Sequence, residues 1–172
     1  MKKYFALFLF SICSLVSISQ NQTSIIKGQA MDMAKALLRK DFPAFTKYMH
    51  PKVIEMAGGK EKAIHRMDTI NNIATQFGAE VTKILIGTPG TIVNFKNEMQ
   101  VTLPQTTEMK TGFGNLSVET TLIAISKDGG KNWLFIDTSV YNVKDLQKNM
   151  PELSPDLVIP PAKPPKFTPN QK

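Results

Sequence analysis

The sequence predicts one α+β domain in which N-terminal helices pack on one face of an antiparallel sheet. Three observations carry this. Apolar residues recur at helical spacing from Ser24 to Phe77. After Gly78 the period changes to strict alternation. The later β-rich runs are separated by turn residues with no helical stretch between them, which leaves hairpins as their connections.

The first element is a segment for export. Lys2 and Lys3 form a basic start, Tyr4 to Val16 is apolar apart from Ser11, Cys13 and Ser14, and Ser17-Ile18-Ser19 puts small residues where a signal peptidase reads them. Cleavage is expected before Gln20, giving a secreted or periplasmic product. The apolar stretch is shorter than the roughly 20 residues of a membrane-spanning helix. A lipid anchor at Cys13 is the weaker alternative, because bulky Ile12 stands where lipoprotein signals carry a small residue. Removing residues 1–19 from the 172 leaves 153, enough for one domain with its own core. It also removes the only cysteine, so disulfides and thiolate chemistry are excluded from the mature chain. Lys2 and Lys3 leave with it, and the formal charge falls from +7 to +5.

The first helix of the domain is expected from Ser24, as cap, to about Lys40, with Ile26, Ala30, Met33, Ala34, Leu37 and Leu38 on one arc. Asp41-Phe42-Pro43 starts a short second helix, capped by Asp41, with Pro43 in the first turn. His50-Pro51 breaks it, and a further turn through Val53 to Met56 ends at Gly58-Gly59. A third long helix runs from about Lys60 to Phe77 and stops at Gly78. Ala63, Met67, Ile70, Ile73, Ala74 and Phe77 form its apolar side.

Val81 to Ile86 reads as the first strand, and Pro89-Gly90 as a turn. Val93 to Leu103 reads as one half-buried strand in which Asn97 is the single polar residue in the apolar register. Pro104 to Asn115 is polar with two glycines and reads as a long connection. Leu116 to Ser126 and Trp133 to Tyr141 are strands joined by a turn at Asp128-Gly129-Gly130. Seven of the eleven prolines follow from Pro151 onward. The organisation is therefore a signal peptide over 1–19, a single α+β domain over 20–145, and a Pro-rich tail over 146–172 that is mobile or laid along the surface.

The stretch from Asp41 through Phe45 to His50-Pro51-Lys52-Val53 resembles a pattern, Asp-x-x-x-Phe-x-x-x-x-His-Pro-x-Val, of nuclear transport factor 2-like proteins. The order of elements from Ser24 to Tyr141 is similar to that family as well. The resemblance implies a cone: a strongly curved antiparallel sheet wrapped round the helices, with an apolar pocket at the open end. It also implies that dimerisation through the outer sheet face is common. Members include isomerase-like and dehydratase-like enzymes and many noncatalytic binding domains, so fold alone assigns no activity.

Ser126-x-Asp128-x-Gly130-x-x-Trp133 is similar to the Asp-box of sialidase-like propellers. A propeller needs repeated blades, and one copy is present. The expected role is a structural turn: the carboxylate satisfies turn N–H groups, glycine supplies positive φ, and Trp133 anchors the turn.

Charge and motif spacing then bound the function. The lysines are scattered, and only Arg39 and Arg66 supply guanidinium groups, so nucleic acid is not an expected partner. No phosphate-binding loop and no metal-ligand cluster stands out, so no cofactor and no metal is expected. His65, Asp68 and Asn72 share the polar face of the third helix, which reads as a solvated face. Arg66 lies instead within the apolar arc, where a guanidinium must snorkel or find an anion. Asp137 offers one, on the side of the last strand that carries Trp133, Phe135, Ser139 and Tyr141. If that side lines the cone, Asp137 is a candidate base with Tyr48 or His50 as hydrogen-bond donor, against the plainer expectation of an Arg66–Asp137 ion pair. Arg66, Trp133, Phe135 and Tyr141 are the candidate ligand-binding residues. The expected function is an exported noncatalytic domain that binds a small apolar ligand or a protein partner, with a pocket enzyme of isomerase or dehydratase type as the alternative.

Overall fold

A computed structural model of the chain describes residues 21–141, 146 and 148–170. The expected signal peptide, its cleavage site and Cys13 lie outside the described residues. The chain runs α1 (21–38), α2 (Phe42–Phe45), a three-ten turn (Thr46–Tyr48), α3 (Pro51–Met56) and α4 (Lys60–Gln76). It continues through β1 (Glu80–Ile86), β2 (Val93–Phe95), β3 (Glu98–Lys110), β4 (Gly114–Ser126), β5 (Leu134–Asp137), a second three-ten turn (Thr138–Val140) and β6 (Lys166–Pro169). No described helix is long and apolar enough to cross a membrane.

The helix boundaries follow local chemistry. Ala44 N–H donates to Asp41 Oδ1 at 3.0 Å, so Asp41 caps α2. Lys52 N–H donates to His50 Nδ1 at 3.3 Å, and Pro51 opens α3 where its missing N–H has no helical partner to lose. Gly78 carries φ 66 just beyond α4, the left-handed position that ends a helix with least strain for glycine.

All strands join one antiparallel, strongly curled sheet in the order β1-β3-β4-β5, with β2 also on β3 and β6 also on β4. Three features differ from the expected strand plan. The last expected strand, Trp133 to Tyr141, ends at Asp137, whose side chain caps the second three-ten turn. Val93 to Leu103 is not one strand but a hairpin: Lys96 and Asn97 have φ of 48° and 63°, the positive values a two-residue turn needs, and β2 folds back on β3. The stretch Pro104 to Asn115 is mostly strand, since β3 runs to Lys110 and pairs with β4 from Met99 to Lys110. Pro104 survives there because its carbonyl, which accepts from Gly87 N–H at 2.8 Å, faces the edge where the ladder is interrupted between β1 and β2. Its ring nitrogen points to the same edge, so the one bond it cannot return, to Gly87, falls just past the end of β1.

The sheet is buried on both faces at its centre. On the inner face Val101, Leu103, Leu122, Ala124, Trp133 and Phe135 pack against Ile26, Ala30, Met33 and Ala34 of α1. On the outer face Ile123, Ile125 and Ile136 pack against Leu146, Met150, Leu153 and Leu157. Leu146, Met150, Leu153 and Leu157, which follow β5 in the chain, thus form a strap over the outer face and shield it from water. Polar contacts fix its position: buried Gln100 donates to Glu152 O at 2.7 Å and accepts from Ser154 N–H at 2.8 Å. Beyond this strap, β6 crosses Gly114, where a Cβ would collide with the Thr168 carbonyl.

The strap and β6 contribute unequally, because Met150 is fully buried while every residue of β6 is exposed. Met150→Ala is expected to cost about 2–5 kcal/mol in urea denaturation. A chain ending at Lys163 is expected to lose less than that.

Candidate functional site

The inner face of the sheet and the helices enclose a cavity of about 310 Å³. Its walls come from separate elements. Met33, Ala34 and Leu37 project from α1, and Ala63, Arg66, Met67 and Ile70 from α4. Phe45, Met49, Val53 and Ala57 come from the short helical stretch between them. The sheet adds Ile84 of β1, Gln105 of β3 and Phe135 and Asp137 of β5, with Tyr141 beyond them.

The cavity exists because α4 does not close on the sheet along its length. Of its apolar side only Ala63 is buried, while Ile70, Ile73 and Phe77 are 60%, 49% and 78% exposed. The helical periodicity predicts a buried stripe there. The structure leaves its C-terminal half as an apolar ledge beside the cavity mouth.

Among the described residues that line the cavity, Asp137 is the one carboxylate and Arg66 the one cation. They do not pair. Asp137 Oδ2 accepts from Gln105 Nε2 at 3.0 Å, and Oδ1 accepts from Ser139 N–H at 2.8 Å as the cap of the second three-ten turn. Buried Gln105 also donates to Thr120 Oγ1 at 3.3 Å, so it ties β3, β4 and β5 together behind the cavity wall. The carboxylate is an anchored acceptor, and the expected Arg66–Asp137 ion pair is absent among the described residues. Burial raises the Tyr141 phenol above its usual 10.0, and the Arg66 charge partly offsets this.

Thus Arg66, Phe135, Asp137 and Tyr141 come together on one cavity, and three other candidates do not join them. Trp133 is 1% exposed in the core, with its indole N–H donating to Gly130 O at 3.0 Å. The Asp-box turn around it is closed by Asp128, which accepts from Lys131 N–H and Asn132 N–H at 3.1 and 2.9 Å. Bonds from Asn132 N–H, Asn132 Nδ2 and Ser126 Oγ, and more weakly Lys131 N–H, hold the Asp128 carboxyl down to about 2. Gln29 of α1 clips the turn to the helix, accepting from Trp133 N–H at 2.7 Å and donating to Lys131 O at 2.8 Å. Trp133 is therefore an anchor between α1 and the sheet.

Tyr48 packs beside the inner core and does not line the cavity. His50 is 4% exposed and is held by its N–H donating to Phe135 O at 3.0 Å. His65 and Asp68 stay on the exposed face of α4, where Asn72 donates to Asp68 Oδ2 at 3.3 Å. Among the described residues no three His, Asp or Glu side chains gather as metal ligands.

Gln105 is the polar cavity residue that sequence reasoning missed. It lies in the polar stretch read as a connection, and its only signal was its place two residues beyond Leu103 in the same register. No family model, curated protein or solved structure matches the chain.

His50 makes the fold sensitive to acid. Burial, and then Lys127, lower its pKa from 6.5, while Glu98 and Glu152 oppose them more weakly. The unfolded chain therefore binds the proton first as pH falls. The contribution of neutral His50 is complete above about 6.5 and is lost as pH falls towards the lowered folded value. The urea midpoint is expected to drop between pH 7.5 and 5.5. His50→Asn, which keeps an acceptor at the α3 cap, is expected to flatten that drop.

Proposed function

We propose that the protein is a noncatalytic binding domain that takes a small apolar or amphipathic ligand into the cavity between α1, α4 and the sheet. The carrying observation is the cavity itself. Its volume of about 310 Å³ lies at the lower end of the range for small-molecule sites. Methionine, leucine, isoleucine and phenylalanine side chains dominate its walls, with four polar groups on them. Methionine suits such a wall, since its unbranched thioether adapts to irregular shapes. Export through a signal peptide cleaved before Gln20, and kinship with nuclear transport factor 2-like proteins, belong to the same reading. The curled α+β architecture supports the kinship.

The competing partner-binding reading has less support. The resemblance implies dimerisation through the outer sheet face, and the centre of that face is covered by Met150, Leu153 and Leu157 of the same chain. One observation favours a second reading, a pocket enzyme with Asp137 as base: the carboxylate stands on the cavity wall. Of its proposed donors, Tyr48 and His50 lie elsewhere, and Tyr141 takes that place.

Native mass spectrometry of residues 20–172, purified after export, tests the binding reading. The expected result is a retained small mass that leaves on denaturation. Titration with an environment-sensitive naphthalene dye gives a second readout. Met67→Trp, which fills the cavity from α4, is expected to weaken dye binding about tenfold with the far-ultraviolet circular dichroism unchanged. Equal dye binding by the variant sinks the cavity as the site.

A further inference from the structure

Resting on the binding reading above, we propose that the ligand is a single-chain amphiphile with an anionic head, its carboxylate held by Arg66 and Tyr141 at the mouth and its alkyl chain in the cavity. Asp137 already accepts two hydrogen bonds, from Gln105 Nε2 and Ser139 N–H. Arg66 has no hydrogen bond or ion pair among the described residues, although it lies in the apolar arc of α4. A guanidinium offers donors only and fits a carboxylate with two parallel bonds. The Tyr141 hydroxyl has no hydrogen bond among the described residues either, and the charge of Arg66 reaches it. Two unengaged donors beside an apolar chamber match an acceptor-rich, negatively charged head.

The position of Arg66 fits a head group better than a buried partner. It is shared between the cavity and an open shelf formed with Glu61, Lys62, His65, Thr69 and Ile70. Lys62 adds a second cation there and Glu61 one opposing charge, so the shelf is net positive. A head at Arg66 stays at the water's edge while the chain enters among Met33, Met67 and Phe135. The cavity of about 310 Å³ holds one short chain, which excludes a two-chain membrane lipid as the occupant. Ile70, Ile73 and Phe77 extend an exposed apolar track beyond the mouth for a longer chain.

The test is competition against the bound dye at neutral pH with three probes of one chain length: decanoate, decanol and decyltrimethylammonium. Decanoate is expected to displace the dye at about tenfold lower concentration than the other two. Arg66→Gln is expected to bring decanoate down to the level of decanol, and Arg66→Lys to restore part of the difference. Tyr141→Phe is expected to weaken decanoate by a smaller factor. Equal displacement by all three probes, or decanoate binding unchanged in Arg66→Gln, overturns the anionic-head assignment and leaves the cavity as a site. A chain that binds no dye at all overturns both. Circular dichroism and the urea midpoint of each variant separate a lost contact from a lost fold.

Discussion

The six residues from Thr121 to Ser126 are all buried, on both faces of β4 at once. A strand buried on both sides has no solvent face to offer, so two separate covers must be supplied. Helix α1 covers the face of Leu122 and Ala124, and Leu146, Met150, Leu153 and Leu157 cover the face of Ile123 and Ile125. At roughly 25 cal/mol per Å² of apolar surface, leaving either side bare would outweigh most single contacts in the molecule. The double cover of β4 therefore determines where both ends of the domain must lie. The Asp-box turn, the Gln29 clip and the buried Gln100 contacts then hold each cover in register.

The same constraint explains why a cavity remains. Helix α1 takes the apolar centre of the inner face, where Val101, Leu103, Leu122 and Ala124 converge. What is left for α4 is the flank beyond Leu103, where the inner face of β3 continues with Gln105, Thr107 and Met109. That flank offers a helix less apolar surface than the centre does. α4 is held at its start, where Ala63 is buried, and stands clear at its end, where Phe77 is exposed. The space between them is the site.

Much of the helical half was legible in the sequence, because caps and breakers act locally, although Ser24, the expected cap of α1, lies inside the helix. Asp41, Pro43, His50-Pro51 and Gly78 each do in the fold what their chemistry prescribes. The sheet was less legible for two physical reasons. A tight turn built from Lys96 and Asn97 lacks the glycine that usually marks positive φ, and Asn97 breaking the alternation was the only trace of it. Pro104 reads as a strand breaker unless the ladder happens to be interrupted beside it, which is a tertiary fact. Of the site, Phe135 and Asp137 could be brought together from strand register and Arg66 from helical angle, whereas Tyr141 lies past the three-ten turn that ends β5, where alternation no longer applies. Gln105 could not, because its stretch is polar on both faces. The separation of Arg66 from Asp137 could not either, since their nearest partners come from other strands and a turn.

An enclosed empty cavity is hard to reconcile with a stable small domain. At about 24 cal/mol per Å³, a sealed void of 310 Å³ would cost on the order of 7 kcal/mol. Total stabilities are about 5–15 kcal/mol. The chamber is instead open beside α4, where Arg66 and Ile70 are exposed, so water can enter without a sealed void forming. Water gains little from walls of methionine, leucine and phenylalanine, which offer it few hydrogen bonds. An apolar chain releases that water and restores the dispersion contacts the walls lack. A charged head left at the opening keeps its own hydration on one side and meets a guanidinium on the other. The opening that admits water to an apolar chamber is thus the same opening at which an amphiphile, rather than a fully apolar molecule, keeps its head.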